Sequence, residues 1–331
     1  MTKQKLLICG PWIGEFSYEV HSWAPKLRYY INNHYSDYKV IHIGFPGRQI
    51  LYKDFVDEYI SYPKSLTDQL PPSNSGGIGR GSEHTLYYPL IEEYLEQYIK
   101  DNKQKYEDIF ILRPEELQCI TKSQVIKDYD DVEFVNLIPD EIVDKDVKNF
   151  MSSFSEGDTI SIMANAPHET KKYRENWDPK SWEWLIEKLI VELNLNVVMM
   201  GIKSEDNLQG SYTFEGTDLY TKYPLKIKSL VVDYTLDTSL DTQISIMWNT
   251  KCSLWGSTGA SQLAYFVDRP MFAQLVLGVL PRVTKKEYNL ITNDFKNIKY
   301  LYKYNQGLEF YNSSKEELYE EFNEFYNQLD V

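Results

Sequence analysis

Short apolar runs alternate along the chain with longer segments whose apolar positions recur every three or four residues. That is the rhythm of strands alternating with helices. The first run, Leu6, Leu7, Ile8 and Cys9, stops at Gly10 and Pro11 and predicts a buried strand over 5–9. Val20, Trp23, Ala24 and Leu27 then share one helical face within 17–30, and a second strand over 40–44 ends in Gly44. A helix over 86–100 and a strand over 108–112 complete this half. Between them, residues 61–82 are rich in Pro, Ser and Gly and read as a long surface loop.

The second half has clearer punctuation. A strand over 159–163 is followed by Asp178 and Pro179, an N-cap with a first-turn proline. Trp182, Leu185, Ile186, Leu189 and Leu193 line the helix behind them. Strands are expected over 196–200, closed by Gly201, and over 229–233, 252–255 and 270–273. Helices are expected over 240–248 and 261–267. Near the end, Ser314 and Glu317 have capping-box spacing, and Leu318, Phe322, Phe325 and Leu329 form one stripe. Strand–helix alternation in both halves predicts an α/β protein with parallel sheets covered on both faces. The boundary is expected within 152–157, where small polar residues cluster after the charged, irregular stretch 120–157.

Composition narrows the function. With 35 Lys and Arg against 49 Asp and Glu, the net charge is −14, which argues against general nucleic-acid binding. The content of 42% hydrophobic and 15% aromatic residues excludes a disordered chain. No apolar run approaches the roughly 18 residues of a membrane span, and no secretory signal is recognisable. Cys9, Cys119 and Cys252 are scattered, without CxxC spacing, so neither a disulfide framework nor a zinc site is expected. A soluble cytoplasmic protein is the expectation, with peripheral membrane contact through 61–82 left open.

Three segments have residues suited to chemistry. The first, 10–20, follows the first expected strand, where open α/β sheets bind ligands. There Gly14 permits close approach, Glu15 suits a general base, and Glu19 lies one turn on; both acids also suit a plain helix N-terminus. His21, beside Trp23 on the expected helix, is a catalytic candidate, with a structural role as its alternative. The second segment holds Lys171, Lys172 and Arg174, cations matched to a phosphate or diphosphate, or else a solvated basic turn. The third, Gly256, Ser257, Thr258, Gly259 and Ala260, is a strand-to-helix turn whose amides suit an anion, or simply cap a helix. Gln243 opens a helix and is within reach of a ribose or base, or only helps to cap it. The Asp128/Asp130 and Asp144/Asp146 spacings read as acidic surface, and no bound metal is expected.

Together these segments resemble GT-B glycosyltransferases, most closely the family 9-like, ADP-heptose lipopolysaccharide heptosyltransferase type. Gly14-Glu15 is similar to that family's Gly-Asp turn, and the run from Lys171 to Trp182 to its basic, Trp-Pro and Trp run. The run from Gly256 through Gln262, Leu263 and Ala264 to Pro270 is similar to its glycine turn, His-Leu-Ala helix and Gly-Lys-Pro entry. The resemblance implies two Rossmann-like domains facing each other across a cleft. Residues 1–155 would bind the acceptor and 156–312 the nucleotide-sugar donor, with 313–331 a helix returning to the N-terminal domain. It implies transfer of a sugar from a nucleotide-diphosphate donor to a glycan or other hydroxyl acceptor, inverting and without metal or cofactor. Glu15 would be the base, with Glu19 and His21 beside it. Gly14, Lys171, Lys172, Arg174, Gly201, Gln243, Ser257, Thr258, Gly259, Ala260 and Gln262 would hold the donor. A nucleotide-sugar epimerase and a non-catalytic sugar-binding protein are the alternatives.

Overall fold

The computed structural model describes residues 4–12, 16, 19–69, 89–117, 131–167, 177–201, 211–233, 239–256, 263–264, 266–267, 269–274, 298–301 and 314–329. The chain divides into two compact units, Met1–Val135 and Asn136–Val331.

In the N-terminal unit, β1 (Lys5–Cys9) lies between β2 (Tyr38–Gly44) and β4 (Ile109–Leu112), and β3 (Glu58–Ser61) extends the sheet beyond β2. All three pairings are parallel, in the order β3-β2-β1-β4. Leu6, Leu7, Ile8 and Cys9 are all buried, as a central strand covered on both faces requires. The edge strand β3 carries only partly buried apolar positions, which is why its pattern was too faint to predict.

The helix expected over 17–30 is two pieces: a π-helical turn, Glu19–Trp23, and then α1 (Ala24–His34). Pro25 sets that break. It has no N–H to give a preceding turn, and its fixed φ suits the first turn of a new helix. The short α2 (Lys64–Thr67) follows β3, and α3 (Pro89–Asn102) packs Ile91 and Leu95 against Leu6, Ile8, Ile41 and Ile43. Most of the loop expected over 61–82 lies outside the described residues.

The C-terminal unit begins with α4 (Glu141–Met151), N-capped by Asp140. Its main sheet is built from β5 (Thr159–Met163), β7 (Asn196–Met199), β9 (Ile227–Ser229), β10 (Cys252–Trp255), β11 (Met271–Gln274) and β12 (Ile298–Leu301). A small antiparallel pair, β6 (Asn165–Pro167) and β8 (Ser211–Thr213), stands apart. The six-stranded sheet is parallel throughout, in the order β12-β11-β10-β5-β7-β9. The helices are α5 (Pro179–Glu192), α6 (Thr217–Lys222), α7 (Leu230–Asp233), α8 (Leu240–Asn249) and α9 (Lys315–Asn327).

The structure differs from four expectations. The division falls after Val135, ahead of the expected boundary at 155, because α4 belongs with α8. Ser245 Oγ donates to Asp144 Oδ1 at 2.9 Å, and the Asp140 amide donates to Asp241 Oδ1 at 3.0 Å. Asp144, expected on solvated acidic surface, is therefore an anchor between helices. The strand expected over 229–233 ends at Ser229, whose Oγ accepts the Val231 amide at 3.0 Å and turns the chain into α7. The closing helix α9 has the expected capping box and stripe, but its stripe is spent inside the C-terminal unit. Leu318, Phe322 and Phe325 pack with Trp182, Leu185 and Leu189 of α5 and with Phe272 of β11. The Tyr319 and Tyr326 hydroxyls fasten its outer side to Glu192 and Asp158, at 2.8 and 2.6 Å.

Candidate functional site

From β5 the chain builds outward through β7 to β9, then returns to the other side of β5 as β10 and continues outward to β12. The reversal makes β5 and β10 the topological switch point of the C-terminal unit. In open α/β sheets, ligands bind in the crevice beyond the carboxyl ends of such a strand pair. Here the Gly256 amide donates to Met163 O at 2.9 Å, joining the two strand ends. Beneath them, Ser161 Oγ and Ser253 Oγ share a hydrogen bond of 2.7 Å, and Ser161 reaches Thr250 Oγ1 at 3.3 Å. Those buried hydroxyls satisfy one another across the pair, so the sheet floor is polar yet closed.

Both C-terminal candidate segments follow strands of this unit in chain order. The glycine turn starts at Gly256, directly after β10, and the cationic run lies between β6 and α5. Its far end is fixed: Trp177 is buried against Trp182, and Asp178 caps α5 through the Ser181 amide at 3.1 Å and Ser181 Oγ at 2.6 Å. Lys171, Lys172, Arg174, Ser257, Thr258, Gly259, Ala260 and Gln262 themselves lie outside the described residues. Gly201 follows the last buried residue after β7 with φ 145°, a conformation that glycine adopts readily. Gln243 sits on α8 at 3% exposure, which leaves little of it for a ribose or base to meet.

The N-terminal unit repeats the pattern. Its chain runs from β1 through β2 to β3 and returns beside β1 as β4, so the switch lies between β1 and β4. Gly10 ends β1 there, its amide donating to Leu112 O at 3.0 Å. At φ 105° a Cβ on Gly10 would stand 2.9 Å from Ile43 O, so a side chain is excluded. Trp12 continues inward and stacks on Trp23 at 6.1 Å. Gly14 and Glu15 lie outside the described residues, as does the side chain of His21 within the π-turn.

Glu19, expected beside Glu15 on a crevice-facing surface, points into the core instead and is 1% exposed. Its Oε2 pairs with Arg48 Nη1, and its Oε1 accepts from the Tyr52 hydroxyl at 2.7 Å. Burial pushes this carboxyl above its usual range, opposed by the Arg48 charge and the two hydrogen bonds. With both oxygens engaged, Glu19 is a structural acid rather than a free base. The Arg48 guanidinium lies over Phe16 at 5.2 Å and over Phe45 at 4.8 Å.

Beside this cluster His42 is fully buried, stacked on Tyr52 at 3.7 Å and on Tyr59 at 5.3 Å. Burial, helped by the Arg48 charge, pushes its pKa down to about 3. It belongs to the core. Sequence reasoning missed Arg48 and Tyr52. Their only local signal is that they follow the Phe45-Pro46-Gly47 turn at the carboxyl end of β2.

No protein-family model matches the sequence, and no curated protein matches it. Solved structures do. The E. coli ADP-heptose lipopolysaccharide heptosyltransferase II is 15% identical, with 99% of this chain and 100% of that one covered at a TM-score of 0.56. A glycosyl transferase family 9 structure from Veillonella parvula DSM 2008 is 10% identical over 99% and 98%, at 0.57. The E. coli heptosyltransferase WaaC with ADP is 12% identical over 97% and 100%, at 0.52. These likenesses show the fold: the chain has the GT-B architecture of two doubly wound halves.

Proposed function

We propose that the protein is a glycosyltransferase that moves a sugar from a nucleotide-diphosphate donor to a hydroxyl acceptor. One observation supports the reading: in chain order the Gly-Glu segment follows β1 and the glycine-rich segment follows β10, strands at the switch points of the two sheets, and the cationic run falls between β6 and α5. Solved structures with this fold along nearly their whole length include a heptosyltransferase II, a family 9 glycosyl transferase and a heptosyltransferase with ADP, which supports a nucleotide-sugar substrate.

In this reading Glu15 takes the proton of the acceptor hydroxyl as that oxygen attacks the anomeric carbon, and the bond to the diphosphate breaks with inversion. Charge then accumulates on the departing diphosphate. Lys171 and Lys172 meet it as point charges and Arg174 as a planar fork, while the amides of the 256–260 turn donate to it. Each well-placed donor of this kind contributes about 3–4 kcal/mol to the transition state. These cations supply the charge that a divalent ion supplies elsewhere, so transfer is expected to survive chelation by EDTA. Glu19 has no part in the proton transfer, since its carboxylate is committed to Arg48 and Tyr52.

The test is Glu15→Gln, which keeps shape and removes basicity. The variant should lose transfer by at least about 100-fold, within the range general bases contribute, while binding the donor as the wild type does. A variant that still transfers at the wild-type rate overturns the assignment of the base.

A further inference from the structure

The Glu19–Arg48 pair raises a question that stability alone does not answer. A buried ion pair gains little over well-packed apolar side chains of similar size, and its best-attested use is to fix one arrangement among several. The arrangement here is local and unusual. Glu19 opens a π-helical turn, a geometry rare in proteins and frequent at functional sites. Arg48 comes from the connection between β2 and β3, far from Glu19 in sequence, yet it is 8% exposed. Its guanidinium does two things at once on the segment after β1. It pairs with the Glu19 carboxylate and covers the face of Phe16, itself 7% exposed. It also lies over Phe45, rooted at the end of β2, and Tyr52 holds the second carboxylate oxygen from the same connection. Phe16 is the covalent neighbour of Glu15.

We infer that Arg48 is a positioning residue: by holding Phe16 and Glu19 against the end of β2, it sets the course of the chain that carries the Glu15 carboxylate. The inference rests on the transferase reading for its effect on rate, but not for its effect on the segment. A lysine at position 48 keeps the charge for Glu19 and loses the planar fork and the ring-face contact. A methionine loses both.

Arg48→Lys and Arg48→Met are compared with wild type by hydrogen exchange at the amides of Phe16 and Glu19–Trp23, by donor affinity, and by kcat and acceptor KM. Both variants should exchange faster at those amides while the β1 amides stay protected. Donor affinity, which belongs to the C-terminal unit, should not change. The kcat should fall about 10- to 100-fold, the loss expected when a reacting group is misplaced by an ångström or so. The drop should persist at temperatures well below each variant's Tm, and Arg48→Lys should recover stability better than rate. Unchanged exchange at Phe16 and Glu19–Trp23 overturns the inference, as does a wild-type kcat in a folded Arg48→Met protein. If the wild-type protein transfers no sugar from any donor, the transferase reading falls, and the exchange result alone decides whether Arg48 orders this segment.

Discussion

The indole N–H of Trp23 donates to Nε2 of His42 across 3.3 Å in the core of the N-terminal unit. An indole nitrogen can only donate, so Nε2 is the acceptor and the neutral imidazole carries its proton on Nδ1. That Nδ1 is buried without a hydrogen-bond partner among the described residues. A charged imidazolium would lose the Trp23 bond and gain nothing, which agrees with a pKa pushed down to about 3. Unfolded, the same histidine titrates near 6.5. Between those values the unfolded chain binds the extra proton, so stability falls as the pH falls from 6.5 towards 3, by about 1.4 kcal/mol for each unit of separation. His42→Phe should flatten that stretch of the stability–pH curve. At pH 7 it should cost about 1–3 kcal/mol, because the Trp23 N–H is left unsatisfied. Denaturant titrations at several pH values measure both, and an unchanged slope would contradict the assignment.

Arg28 closes the N-terminal unit. Its Nε and Nη2 grip the two carboxylate oxygens of Asp54 at 2.7 and 3.0 Å, while Nη1 donates to Glu133 O at 2.9 Å and Nη2 also to Leu51 O at 3.3 Å. A single guanidinium thus ties α1 to the β2–β3 connection and to the last residues before the division after Val135. Arg28→Lys keeps the charge but cannot span these acceptors, and should cost about 2 kcal/mol. It should also open the 131–135 stretch to proteolysis before the rest of the unit. Equal proteolytic resistance in variant and wild type would show that the fastening lies elsewhere.

Phe322 is fully buried, edge-on to Phe272 of β11 at 5.5 Å. Phe322→Ala should cost about 3–5 kcal/mol, the range for deleting a buried aromatic ring. Since the ring lies in the core of the C-terminal unit, donor-protected melting of that unit should suffer. Near-wild-type stability would mean that α9 packs elsewhere, as the resemblance had implied.

The alternation of strands and helices was legible because central strands such as β1 and β5 are apolar without interruption, and because Asp178 and Ser314 mark helix starts by side-chain chemistry alone. What escaped notice depends on partners distant in sequence. Nothing local tells an acid that faces a crevice from one, like Glu19, that meets an arginine 29 residues on. Likewise Asp144 looks like surface until Ser245 and Asn249 are folded against it. The stripe of α9 announced that the helix packs, but an apolar stripe does not say which sheet it covers. The three candidate segments are read from glycines, cations and strand ends, residue types visible in the sequence itself, and their central residues lie outside the described ones.

The most direct test of the proposed function is a thermal-shift screen of the purified protein against nucleotide sugars and free nucleotides, with EDTA present. At about 100 times its Kd, a true donor should stabilise the protein by about 2.7 kcal/mol. The account predicts a shift confined to one nucleotide family, reduced when Lys172 or Arg174 is replaced by alanine. A well-folded protein that shifts with none of them would contradict a nucleotide-sugar substrate and leave the three segments as turns of the fold.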